Sequence, residues 1–227
     1  MSGTALGTRA GALRRARTEA ALVLAIDVAL FAGLATADKT QGWNINGHPW
    51  WVWLIVAAPA LILIALLLFA PLAEMRPGRV RNASVALLGL LAISDVVAVA
   101  ALLVALASSK NLSAGDLLAH GLVVWLTNII TFGLLFWQLD EGGPQRRAER
   151  ERVDPDFAFP QDTMGRAGWT PQLGDYLYVS LTNAIAVSPT DTMPLTRRAK
   201  GMMAVESLIS YAVVILVIAR AVNVLGA

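Results

Sequence analysis

The chain of 227 residues is 56% hydrophobic and 15% charged, and its mean hydropathy is +0.61. A soluble domain carries about 25% charged residues, so this balance excludes an ordinary soluble enzyme, a disordered chain and a nucleic-acid-binding tail. Formal net charge is only +2, and the absence of cysteine excludes disulfides, thiolate nucleophiles and Cys-ligated metals. Crossing a hydrocarbon core takes about 20 consecutive apolar residues. Residues 19–37, 50–70, 83–107, 117–139 and 201–225 meet that requirement. The first of these also reads as a secretory signal, with Arg14, Arg15 and Arg17 before the apolar run and Ala35-Thr36-Ala37 after it. Asp27 in mid-run argues against that reading. Residues 140–174 form the long hydrophilic stretch. Its first half, residues 145–152, alternates basic and acidic side chains and predicts a short surface helix. Its second half carries Pro155, Pro160, Gly165, Gly168 and Pro171 and predicts irregular loop.

A sixth apolar stretch, residues 176–187, is too short to cross and contains Ser180, Thr182 and Asn183. Segments of that length more often dip into the membrane and return. The arginines favour the same reading. If the segment returns, fifteen of the 18 basic residues share one face, against Lys39, Lys110 and Arg220 at the other. If it crosses, the split is only twelve to six. The positive-inside bias makes the fifteen-residue face cytoplasmic, with the N-terminus inside and the C-terminus outside. Trp43, Trp50, Trp51 and Trp53 then anchor the outer interface and Trp137 the inner one. The expected fold is all-α: a polytopic membrane protein with five transmembrane helices plus one re-entrant half-helix before the last span. Its expected regions are a cytoplasmic basic segment (1–18), a four-helix membrane region (19–139), the hydrophilic loop (140–174) and the half-helix with its following loop and last span (175–227). Fifteen Arg against three Lys, with abundant Ala and Leu, points to a GC-rich bacterial genome and so to a bacterial cytoplasmic membrane.

The residues from Asp175 to Asp191, followed by the last helix, resemble the pore helix, filter and inner helix of potassium-channel-type proteins. Tyr178-x-Ser180 falls where those channels carry an aromatic-x-Ser. Ile185-Ala186-Val187-Ser188-Pro189-Thr190-Asp191 falls on their filter, and only Val187 and Asp191 match. The likeness covers about 50 residues. Over its full length the chain is similar to bacterial multi-span membrane proteins of unknown function, which share Phe159-Pro160, the Asp175-Tyr176-Leu177-Tyr178 start and the basic turn before the last span. The resemblance implies a symmetric assembly, a homotetramer, with the short helix and last span nearest its axis. Potassium filters use glycines so that backbone carbonyls line the pore. Ser188 and Thr190 disfavour the required backbone, and Pro189 removes an N–H. The expected constriction, Ser188, Pro189, Thr190, Asp191 and Thr192, is therefore not potassium-selective. The C-terminal end of the half-helix carries about half a negative charge and favours a cation. Asp191 would repeat as a carboxylate ring in an oligomer, or serve simply as a helix cap. Potassium channels admit this loop from outside, whereas the arginines here place it inside, as in glutamate-receptor channels.

Asp27 and Asp95 lie near the middles of the first and third spans. Intramembrane carboxylates are costly and mark functional candidates. The competing reading is a protonated carboxyl that hydrogen-bonds to a neighbouring helix. Asp116, His120, Thr127, Thr131 and Gln138 recur on one face of the fourth span, and Glu206, Ser210 and Arg220 on one face of the fifth. Such stripes form either a water-accessible path or a packed seam. Asn183, Glu206, Ser210, Thr127 and Thr131 are the candidate pore-lining residues. His120 reads as an interfacial polar residue, since His48 and His120 without cysteine make a poor zinc site. No nucleophile–base pair stands out, so enzymatic activity is not expected, nor any metal or cofactor. The expected partners are lipid, further copies of the chain and small, for example monovalent, ions. The leading expectation is a channel-like ion conductor. The alternatives are a proton-coupled secondary transporter using Asp27 or Asp95, and a non-conducting assembly protein.

Overall fold

The computed structural model describes residues 2–41, 49–69, 77–107, 114–149, 153–165, 169–185 and 191–225. The chain is an all-α, multi-pass membrane protein, with helices α1 (Ser2–Gln41), α2 (Val52–Phe69), α3 (Pro77–Ala107), α4 (Ala114–Leu139), α5 (Pro144–Glu149), α6 (Pro160–Thr163), α7 (Leu173–Ile185) and α8 (Arg197–Leu225). Five of these, α1 to α4 and α8, are long and apolar enough to cross a membrane. They match the five runs expected from hydropathy, because an apolar run of membrane length has no other stable fate than a helix whose backbone bonds are internal. Leu22, Ile55, Phe69, Ile93, Leu208 and Ile218 lie exposed on the outside of the bundle. A soluble bundle would place polar residues there.

Helix α4 is the hub. It packs against α1, α3, α7 and α8 and is mostly buried, whereas the other spans keep most of their surface on the outside. One end of the bundle holds Trp50, Trp51 and Trp53 (the tryptophan end) and the other Arg14, Arg81, Arg147 and Arg198 (the basic end). Trp50 and Trp51 are exposed, and Lys39 Nζ lies 4.9 Å from the Trp50 ring centroid. Trp43 lies outside the described residues. Trp137, expected as an interfacial anchor, is only 4% exposed. It faces the bundle because it sits on the helix that every neighbour covers.

Helix α7 starts at the basic end. Its first turn is closed by Asp175, whose Oδ2 accepts the Gln172 N–H at 2.7 Å. That is the backbone half of a capping box. Thirteen residues at 1.5 Å each extend about 20 Å. The helix runs antiparallel to α4, with Tyr176 beside Asp140, Leu177 beside Gly133 and Ser180 beside Ile129. A Cβ on Gly133 would come within 2.7 Å of the Leu177 side chain and 3.1 Å of its Cα. Glycine there is what lets the two helices touch, the usual use of small residues in membrane packing.

The hydrophilic stretch is more ordered than its prolines and glycines predict. Glu141, Gly142 and Gly143 take positive φ values of 48°, 77° and 98° in succession and reverse the chain. A Cβ on Gly143 would lie 2.9 Å from Gln138 O. Helix α5 matches the short helix expected from the alternating charges, but its Arg147 is buried. Beyond it, β1 (Phe157–Ala158) pairs antiparallel with β2 (Met193–Pro194), in register Phe157 with Pro194. Phe157 and Phe159 are buried against Phe136, Trp169 and Tyr176, with ring centroids 5.1 to 6.3 Å apart. Aromatic burial is what folds the loop back onto the bundle.

Candidate functional site

Along α4, polar side chains meet partners from four directions. Near the tryptophan end, His120, expected as an interfacial polar residue, is fully buried within the bundle. Its Nδ1 lies 2.7 Å from Asp116 O. Its Nε2 faces Asp38 Oδ1 at 3.2 Å. Trp53 Nε1–H donates to Asp38 Oδ2 at 2.6 Å, and the Trp53 ring packs on His120.

Two turns further along, Thr127 Oγ1 donates to Asp95 Oδ1 at 2.9 Å, and Thr131 bonds the same carboxyl. Asp27 stands close enough to interact electrostatically with Asp95. Both carboxyls are buried. Neither oxygen of Asp27, nor Asp95 Oδ2, has a hydrogen-bond partner among the described residues. The bundle thus brings together two carboxyls that are 68 positions apart and belong to different spans.

On the opposite side of α4, the second cluster ties α7 to α8. Asn183 Nδ2 donates to Glu206 Oε2 at 2.6 Å and to Met203 O at 2.9 Å. Ser180 Oγ bonds Glu206 Oε1 and also lies 2.8 Å from Ile129 O. A hydroxyl has one hydrogen, and here it meets two acceptors if Glu206 is ionised. A protonated Glu206 that donates to Ser180, which donates in turn to Ile129 O, satisfies every group. Asn128 completes the cluster, donating to Ser210 Oγ at 2.9 Å and to Glu206 O at 3.2 Å.

No family model, curated protein or solved structure matches this chain. The site therefore stands on its geometry and chemistry.

The third cluster, at the basic end, locks the loop, α7 and α8 together. Asp140 is 1% exposed. Its Oδ1 accepts the Asp156 and Phe157 N–H groups at 2.6 and 3.3 Å, and its Oδ2 accepts the Tyr176 hydroxyl at 2.5 Å. Arg147 donates to Asp140 O at 2.6 Å and Trp137 O at 2.8 Å, capping the last carbonyls of α4. Its guanidinium lies 5.2 Å from the Tyr176 ring centroid. Burial pushes the Tyr176 phenol well above its ordinary range, so it stays a donor. Asp156 takes bonds from Arg198 and Thr196, and Leu195 N–H donates to Asp156 O at 2.7 Å.

Of the expected constriction, Ser188, Pro189 and Thr190 lie outside the described residues. Asp191 is exposed and Thr192 buried, with Thr192 Oγ1 3.4 Å from Asp191 Oδ1. The five candidate pore-lining residues occupy two separate clusters: Thr127 and Thr131 with Asp95, and Asn183 and Ser210 with Glu206. Gln138 is buried near the basic end, and the Arg220 side chain lies outside the described set. Asp38, Asn128, Asp140 and Asp156 escaped the sequence reading. Asn128 sits one position off the expected stripe. Asp140 had one local signal, its place just before a Gly-Gly-Pro turn at a helix end.

Proposed function

We propose that this chain is a channel-like, ion-conducting membrane protein in which α7 is a re-entrant half-helix. The observation that carries this reading is where the flanks of α7 are tied. Tyr176 at its start is held by Asp140, and Leu195, Thr196 and Arg198 beyond its end are held by Asp156, all at the basic end. Ser180 and Asn183 are held part-way along α4 and α8. A chain so anchored leaves the basic end with α7 and is back at that end by Leu195, which supports the re-entrant reading. Its α7 carbonyl terminus then points into the membrane, where it attracts a cation. The positive-inside bias makes the basic end cytoplasmic, in a bacterial inner membrane. One half-helix cannot enclose a pore, so conduction needs several copies, a homotetramer by the pore-loop likeness. Ser188, Pro189, Thr190 and Asp191 would form the constriction around its axis.

The topology is checked by cysteine labelling, which has no native background. Arg146 and Arg197 are both exposed. Arg146→Cys and Arg197→Cys are expected to react from the same side of the membrane, and reaction from opposite sides would overturn the re-entrant reading. Conduction is checked by flux from purified protein in liposomes. Asp191→Asn alters one exposed charge and should leave stability within about 0.5 kcal/mol. It is expected to lower cation flux severalfold and weaken the preference for cations over anions. No flux from either protein would sink the channel reading.

A second reading, a proton-coupled transporter, is favoured by the unpartnered oxygens of Asp27 beside Asp95. Two buried carboxyls in electrostatic contact resist ionising together and readily share a proton. Flux that saturates and runs down a pH gradient in the same liposomes would select this reading; unitary conductance steps would select the channel.

A further inference from the structure

At the basic end, a cavity of about 830 Å³ opens between α1, α3 and the turn from α4 into α5. Arg14, Arg17, Arg81 and Arg146 line it, and among the described residues no Asp or Glu does. Arg14 and Arg17 are three apart and share a helix face. Their neighbour Arg15 is instead engaged by Glu19 at 2.8 Å on the exposed side. Arg81 feels the like charges of Arg146 and Arg198, relieved in part by Asp156. Arg81 and Ser84, whose side chains help line the cavity, each hold a buried polar atom with no hydrogen-bond partner among the described residues: Arg81 Nε and Ser84 Oγ. Ser84 is 2% exposed. A seryl hydroxyl can donate to an anion, and a guanidinium offers a fork of donors suited to phosphate. Leu67 and Leu68, at the end of α2, supply an apolar wall. Like charges gathered around one cavity repel one another, and a bound anion relieves that repulsion.

We propose that this cavity binds an anionic phosphate group, the chemistry shared by a phospholipid headgroup and by free phosphate. The guanidiniums of Arg14, Arg17, Arg81 and Arg146 surround the phosphate, and the Ser84 hydroxyl donates to it from the floor. The apolar wall and the position at a span end favour the lipid source, since basic pockets between spans are a recurrent place for anionic headgroups.

The test uses the full-length protein in neutral detergent and follows retained lipid by native mass spectrometry and the melting temperature. The probes are phosphatidylglycerol, phosphatidylcholine and inorganic phosphate. Phosphatidylglycerol is expected to bind saturably and raise the melting temperature, with phosphatidylcholine much weaker. Arg14→Gln, at an exposed position, should weaken phosphatidylglycerol binding about fivefold, and Arg17→Gln with Arg81→Gln should weaken it further. If the double variant fails to fold, Arg14→Gln alone carries the result. Competition by millimolar inorganic phosphate would support the site and identify free phosphate as a sufficient ligand; its failure to compete, with lipid binding intact, would support the lipid source. Equal binding of the two lipids, or phosphatidylglycerol binding unchanged in Arg14→Gln, would overturn the proposal.

Discussion

Asp140→Ala is expected to cost more stability than any other single change at the basic end. It strips the acceptor from the Asp156 and Phe157 amides and from the Tyr176 hydroxyl at once. Each buried donor left unpaired costs about 1–3 kcal/mol, so the total is about 3 kcal/mol or more. For a chain of this size that is about 6–12 °C in melting temperature. Asp140→Asn should cost far less. Its Oδ1 can still accept both amides, and its Nδ2 can donate to the Tyr176 oxygen once that hydroxyl rotates. A drop of about 1 kcal/mol is expected there. Thermal unfolding in detergent separates the two. If Asp140→Ala melts within a degree or two of the unaltered protein, Asp140 does not hold the loop and α7 in place.

The spans were legible because membrane hydropathy is local: twenty residues in a row carry the whole signal. The stripe of Thr127 and Thr131 was legible for a similar reason, since helical spacing alone puts them on one face. So was Glu206 with Ser210. What spacing cannot give is the partner across the seam. Thr127 meets Asp95, whereas Asn128, one position and about 100° around the helix, meets Ser210 and Glu206. Asp38 directly follows the first apolar run, and only the approach of α4 to the α1–α2 corner brings His120 to it. The basic-end lock was the least legible. Asp140, Asp156, Tyr176 and Arg198 are spread over more than fifty residues, and Asp156 lies in a stretch rich in chain breakers. Proline and glycine mark where a chain bends, not whether Phe157 and Phe159 will find an aromatic pocket to fill.

At Glu206, amide and alanine substitutions are expected to part company, and the contrast separates positioning from conduction. The hydrogen count around Ser180 is satisfied by a neutral carboxyl that donates on one side and accepts from Asn183 on the other. A glutamine does both: its Nε2 donates to Ser180, and its oxygen accepts from Asn183 Nδ2. Glu206→Gln is therefore expected to keep the fold and, if the protein conducts, its flux. Glu206→Ala leaves one Asn183 hydrogen without an acceptor and a void where α7 meets α8. Cavity and unpaired donor together should cost about 2–4 kcal/mol. Asn183 retains Met203 O and Ser180 retains Ile129 O, so α7 should loosen rather than detach, with flux falling or losing its ion preference. Melting temperature and liposome flux are read on the same preparations. A folded Glu206→Gln protein with flux abolished would reverse the assignment: the carboxyl would then be needed for the proton it can release and not for the bonds that hold the half-helix against α8.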